Sequence, residues 1–176
     1  LVATKKGMSI RFNETDARPL GRTARGVKAI ELTGGDEVVG MAVLKESGTV
    51  LTVSETGYGR RSEVTDYRLQ SRAGKGTINY HTEKYGDIAA VRMIREDEDV
   101  ILISSDGIII RIPTDEIRLC ARPSKGVRVM RVNEGEKVVT LTSAEHDEGE
   151  KEPSLEHAIG DEQAEDQPKT VSEETE

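Results

Sequence analysis

Three loops along this chain carry one short pattern: Arg22-Thr23-Ala24-Arg25-Gly26, Arg72-Ala73-Gly74-Lys75-Gly76 and Arg122-Pro123-Ser124-Lys125-Gly126. Each reads arginine, two small or restrained residues, a base, then glycine. Small residues let backbone N–H groups come close to a phosphate while the flanking bases supply charge, so the pattern suits non-covalent coordination of a phosphodiester without readout of sequence. One such loop is an ordinary solvated turn; three in register argue for a long, regular anionic partner. The leading candidates are therefore Arg22, Arg25, Arg72, Lys75, Arg122 and Lys125, with the column Arg18, Arg68 and Arg118 beside them. Lys5, Lys6, Arg60 and Arg61 extend the set. A further column, Arg11, Arg61 and Arg111, is followed at five positions by Asp16, Asp66 and Glu116, which favours an ion pair inside each repeat at least as much as a phosphate contact.

Catalytic chemistry has no comparable signal. Gly74-Lys75-Gly76-Thr77 lacks the earlier glycine and the hydroxyl directly after lysine that a phosphate loop needs. His81, His146 and His157 are far apart, without cysteine or carboxylate spacing that suits a metal. Tyr58, Tyr67, Tyr80 and Tyr85 read as packing residues rather than nucleophiles.

The elements that hold the loops recur with them. Gly7, Gly57 and Gly107, and Gly26, Gly76 and Gly126, repeat at intervals of fifty residues, dividing the chain into copies 1–48, 49–99 and 100–147. In the third copy Val100-Ile101-Leu102-Ile103, Asp106-Gly107 and Ile108-Ile109-Ile110-Arg111-Ile112 describe a β-hairpin that Pro113 ends. After the basic loop, Gly126-Val127-Arg128-Val129-Met130 alternates as a half-buried strand. Gly135-Glu136 then turns into a fourth strand at Lys137-Val138-Val139-Thr140-Leu141. Gly35-Asp36 and Gly86-Asp87 repeat that second turn. The expectation is an all-β protein of about three four-stranded, propeller-like blades, each of roughly 50 residues. Closed propellers have about four to eight blades, so three repeats, opening on Leu1 rather than a methionine, suggest part of a ring whose other blades lie upstream.

Charge separates the repeats from the C-terminal segment. Of 33 acidic residues, 13 fall in residues 145–176 against only Lys151 and Lys169, a net of −11; residues 1–144 carry +3, so the overall −8 hides a mildly basic body. The segment 148–176 is expected to be a disordered acidic tail, because it holds too little apolar surface to offset ordering entropy. Such a tail is either a solubilising extension or, at high effective concentration, a competitor for the basic face. Cys120 is the only cysteine and no apolar run is long enough to span a membrane, so a cytoplasmic setting without a membrane partner is the default.

Residues 70–76, Gln70-Ser71-Arg72-Ala73-Gly74-Lys75-Gly76, resemble the seven-residue box Gln-Arg-Arg-Gly-Gly-Lys-Gly in the C-terminal domain of the A subunit of bacterial DNA gyrase, matching at Gln70, Arg72, Gly74, Lys75 and Gly76. Ser71 and Ala73 depart from it, which reads as a degenerate copy rather than the box itself. The likeness covers residues 1–147 and the acidic tail. It implies a β-pinwheel whose neighbouring blades exchange strands, with double-stranded DNA wrapped on a basic rim in support of ATP-dependent negative supercoiling. It also implies partnership with the remainder of the gyrase A subunit, and with the ATPase B subunit, in an A2B2 enzyme at the nucleoid. ATP and Mg2+ would act in other domains or subunits, and the catalytic tyrosine would lie in the N-terminal part. The alternatives are the topoisomerase IV C-terminal domain, which selects crossing geometry, and a propeller-like protein-interaction module.

Overall fold

The computed structural model describes residues 1–146, so the expected disorder of the acidic tail, and its competition for the basic face, lie outside the described residues. In chain order the strands are β1 (Val2–Thr4), β2 (Met8–Ile10), β3 (Val38–Met41), β4 (Thr49–Ser54), β5 (Tyr58–Glu63), β6 (Thr77–Ile78), β7 (Ile88–Ile94), β8 (Glu98–Ser104), β9 (Ile109–Pro113), β10 (Val127–Arg128) and β11 (Val138–Glu145). A single helical turn, α1 (Thr82–Tyr85), follows β6, and a 3-10 turn follows the second strand of every repeat. Each repeat thus opens on the hairpin that its Asp-Gly or equivalent turn encodes, and its fourth strand pairs with the first.

The third strand goes elsewhere. The sheets run β3-β1-β2-β6, β10-β5-β4-β7 and β11-β8-β9, so β6 of the second repeat completes the first sheet and β10 of the third completes the second. A reading of four strands closing within each repeat is therefore corrected, and the exchange that the β-pinwheel resemblance implied is present. In the third repeat only Val127 and Arg128 of the anticipated five-residue strand pair, opposite Gly59 and Tyr58. The reason lies in the glycine columns. Gly126 has φ +78°, and a Cβ there would stand 2.1 Å from the carbonyl oxygen of Gly59. On the other side of the same junction, a Cβ on Gly57 would stand 2.1 Å from the carbonyl oxygen of Met130. Both positions need a left-handed backbone, and both need the absence of a side chain for the exchanged strand to seat. The Gly57 carbonyl then accepts from the backbone N–H groups of Val129 (2.9 Å) and Met130 (3.1 Å). At the ends of the array, Gly26 and Gly107 keep positive φ but meet nothing within 4 Å.

Arginines pin the same junctions. Arg11 Nη1 donates to the carbonyls of Val64 (3.0 Å) and Tyr67 (3.1 Å), and Arg61 Nε donates to that of Ile117 (2.7 Å). These carbonyls lie in or adjoin the 3-10 turns of the following repeat, where a carbonyl oxygen keeps a lone pair for a second donor. The expected pairs with Asp16, Asp66 and Glu116 are not formed, because strand exchange brings these acceptors within reach first. Arg111 has no following repeat among the described residues and turns instead to Asp99 Oδ2 (2.7 Å) and the Glu145 carbonyl (2.9 Å).

Apolar residues fill the spaces between sheets rather than the middle of each. The strand β4 is buried throughout: Val50 packs with Leu1, Ala3, Tyr67, Tyr80, Ile88 and Val91, whereas its neighbours Leu51 and Val53, on the opposite face, pack with Ile94, Val100, Leu102, Ile117, Met130, Val138 and Leu141. Ile10, Val2 and Ile30 make a smaller cluster in the first repeat. Met130, just past β10, delivers an exchanged-strand side chain into the second of these cores.

Where β11 ends, Asp99 is buried between Arg111 and His146, whose Nδ1 lies 2.6 Å from Asp99 Oδ1. His146 first, and then Arg111, hold the Asp99 carboxyl below its ordinary value of 3.8. A carboxylate depressed in the folded state stabilises above the unfolded pKa, and that contribution fades as pH falls through the folded value. The stability advantage of the native chain over Asp99→Asn should accordingly be full at about pH 6 and shrink steadily below about pH 4. Chemical denaturation of both proteins at a series of pH values measures this; a gap that stays constant down to about pH 2.5 would rule it out.

Candidate nucleic-acid interface

The three basic loops do not present their side chains alike. Arg18, Arg22, Arg25, Arg68, Lys75 and Arg118 are exposed, and their side chains make no hydrogen bond or ion pair among the described residues. Ion pairs among the described residues fall on Lys5, Lys6, Arg95, Arg111, Lys137 and His146, so no carboxylate neutralises the loop cations. An unpaired cation on a glycine-flanked loop can meet a phosphate without first breaking away from a competing partner.

Arg72, Arg122 and Lys125 are half-buried and already engaged. Arg72 donates to the carbonyls of Asp16 (3.2 Å) and Lys28, tying the second loop to the first. Arg122 Nη1 donates to Thr77 Oγ1 (2.6 Å) and the Ile78 carbonyl (2.7 Å), with its guanidinium 5.4 Å from the Tyr67 ring centroid, tying the third loop to the second. These two arginines hold successive loops in file. Of the box-like residues, Gln70 gives its backbone N–H to the Arg11 carbonyl (2.8 Å), the Gly74 carbonyl accepts from Glu31 (2.9 Å), and a Cβ on Gly76 would stand 2.3 Å from the Ser9 carbonyl oxygen. Ala73 has φ +70°, a left-handed conformation at a position where the family's box has glycine.

Lys125 sits over aromatic rings. Its Nζ is 3.7 Å from the Tyr58 ring centroid and 5.5 Å from that of Tyr85, while its carbonyl accepts from the Tyr80 hydroxyl (3.0 Å). Arg128 reaches the same tyrosine, with Nη2 2.7 Å from the Tyr58 hydroxyl and the guanidinium 5.0 Å from its ring centroid. The hydrogen bond from Arg128, and then the Lys125 ammonium beside it, pull the Tyr58 phenol below its ordinary value. Sequence reasoning passes over Tyr58 and Arg128 as a pair, since only the exchanged register places residue 128 opposite residue 58.

The additional cations sit in a different setting from the loop cations. Lys5 pairs with Glu37 (3.1 Å) and Glu55 (3.6 Å), and Lys6 with Asp87 (3.1 Å), so both are neutralised. Arg60 and Arg61 are buried in the sheet. A strand residue next to a turn looks exposed until the following repeat covers it.

A family model described as the DNA gyrase C-terminal domain, beta-propeller, matches residues 1–45, 48–95 and 98–145. The chain belongs to the DNA gyrase C-terminal domain family. Its curated relatives include the DNA gyrase A subunit of Haloquadratum walsbyi, 48% identical over 86 residues, which are 48% of this chain and 10% of that protein. The DNA gyrase A subunit of Staphylococcus aureus strain MRSA252 is 54% identical over 78 residues, 43% of this chain and 9% of that protein. The matches thus span about a tenth of those relatives' length. Among solved structures, a DNA gyrase A C-terminal domain superposes with TM-score 0.70 at 26% identity, covering 81% of this chain and 49% of that one. A topoisomerase IV C-terminal domain superposes with TM-score 0.76 at 22% identity, covering 82% and 46%, and shares the fold. The gyrase family's blade therefore extends over all three repeats, and the loop cations occupy one place on each blade. Among the described residues no helix is long and apolar enough to cross a membrane.

Proposed function

We propose that this chain binds double-stranded DNA without sequence preference and curves it along a line of loop cations, as part of the A subunit of a DNA gyrase. One observation carries the reading: Arg18, Arg68 and Arg118 recur at one position in all three units and Arg25 and Lys75 at one position in the first two, with Arg22 beside them, all exposed and without an acidic partner among the described residues. A duplex with a persistence length of about 150 base pairs resists tight curvature by several kcal/mol, and phosphate contacts spaced along a path offset that cost. The inter-repeat ties made by Arg72 and Arg122 support the reading further, because they fix the spacing of the loops before DNA arrives. The curated relatives favour gyrase over topoisomerase IV. In the parent enzyme, the wrap would feed a crossed segment to strand passage driven by ATP and Mg2+ in other domains or in the B subunit, in the cytoplasm at the nucleoid.

The test is a titration of the 176-residue chain with a plain duplex over a salt series, alongside a variant with glutamine at those six positions. The log–log salt slope of the native chain should correspond to several phosphates and fall by roughly 0.9 for each contact removed. Binding with no salt slope, indifferent to the six changes, would point to a protein partner instead.

A further inference from the structure

The two strand-exchange junctions differ in chemistry at one register position. Where β10 docks on β5, Arg128 stands opposite Tyr58; where β6 docks on β2, Ile78 stands opposite Met8. The polar junction gathers two cations on one ring, Lys125 at 3.7 Å and Arg128 at 5.0 Å from the Tyr58 centroid, and neither is in an ion pair among the described residues. An aromatic face attracts each cation, but the two still repel each other, and an anion between them removes that repulsion. The Tyr58 hydroxyl accepts from Arg128 and so keeps its own hydrogen to donate, and Arg128 uses one of five guanidinium donors there. Phosphate oxygens are acceptors only, which matches a site offering only donors.

We infer that Tyr58, Lys125 and Arg128 together hold a single phosphodiester of the bound duplex, making the junction of the second and third repeats a fixed anchor on a path whose other junction, at Met8 and Ile78, has no counterpart. The inference rests on the DNA-binding reading above. It adds that the line of contacts is uneven: one phosphate is held by a rigid, pre-assembled group and the rest by free loop cations. Pre-assembly favours this anchor in the order of contacts, since its side chains are already ordered by ring packing and lose little freedom on binding.

The full chain and the variants Tyr58→Phe, Lys125→Gln, Arg128→Gln and the double Lys125→Gln/Arg128→Gln are titrated with a plain duplex across a salt series, with thermal melting of each. Each single charge removal should weaken binding roughly fivefold at low salt. The double variant should lower the salt slope by about 0.9, as for one phosphate, rather than about 1.8. Tyr58→Phe keeps the ring and the packing, so it should weaken binding a few-fold with the slope unchanged and the melting temperature intact. Native affinity and slope in both Tyr58→Phe and Arg128→Gln, while the six-glutamine variant loses both, would overturn the anchor and leave the DNA reading standing. If Arg128→Gln fails to fold, Tyr58→Phe alone decides. A native chain that does not bind duplex overturns both readings.

Discussion

Gly126→Ala should lower the melting temperature of the chain by roughly 6–20 °C, corresponding to about 3–5 kcal/mol. The left-handed φ of +78° accounts for part of that, about 1–2 kcal/mol for any residue with a Cβ. The larger part comes from contact. The new methyl would lie 2.1 Å from the Gly59 carbonyl oxygen and 2.7 Å from the Arg60 Cβ, neither of which can retreat, because both belong to the buried strand β5. The exchanged strand must lift, and Met130, only 3% exposed in the core it shares with Leu51 and Leu102, lifts with it. Gly26→Ala provides the comparison, since Gly26 has nearly the same φ, +79°, and no neighbour within 4 Å. It should cost only the conformational share, about 1–2 kcal/mol. Calorimetric melting of both variants separates the two contributions, and equal losses would show that strand seating does not depend on the missing side chain.

Arg60→Ala should cost about 3–5 kcal/mol, an effect of similar size with a different origin. Arg60 is 0% exposed and makes no ion pair with a carboxylate among the described residues. Its guanidinium is satisfied by neutral acceptors: Nε donates to the Ser124 carbonyl (3.0 Å), Nη1 to Ser62 Oγ, and Nη2 to the Asn79 carbonyl and to Asn79 Oδ1 (3.1 Å). The Tyr67 hydroxyl donates to the same Asn79 oxygen at 2.9 Å, and Asn79 Nδ2 donates to Thr52 Oγ1 at 3.2 Å. Truncation strips donors from several buried acceptors at once and opens a cavity beside Tyr80, whose ring centroid lies 5.8 Å from the guanidinium carbon. Arg60→Lys keeps the charge but not the planar fork that reaches Ser124 and Asn79 together, so it should recover less than half of the loss. Denaturant unfolding of the two variants reads this directly. A native-like Arg60→Ala would mean that the network contributes nothing net.

The sequence made some of this legible and concealed the rest for physical reasons. Hairpins and turns are local, so Asp106-Gly107 between two apolar runs reports its own structure, and the recurrence of Gly7, Gly57 and Gly107 reports the repeat. Partners far along the chain leave no local trace. Nothing near Arg128 indicates that it lies opposite Tyr58, and Arg72 and Lys75, neighbours in one loop, differ in role because Asp16 and Lys28 accept hydrogen bonds from only one of them. Arg60 is the sharpest case. Its counterparts in the other repeats are Ile10 and Ile110, so its alignment with apolar positions is on view, but a charge beside a turn outweighs such a hint when residues are read one at a time. The loop columns stand out as a set, whereas their division into free cations and ties requires the exchanged strands.

Strand exchange also sets a timetable for synthesis. On a ribosome the β1–β2 hairpin emerges well before the strand that completes its sheet, which pairs Ile78 with Met8, seventy residues later. At about 5–20 residues per second that is a delay of roughly 4–14 s, during which β2 presents an unpaired edge. The second hairpin waits over the same interval, from Tyr58 to Arg128. A nascent chain of this design therefore always trails one unfinished edge, and each new repeat folds by closing its predecessor. The glycines at 76 and 126 restrict which register can close that edge: a slip that brought a side chain against the Ser9 or Gly59 carbonyl would not seat.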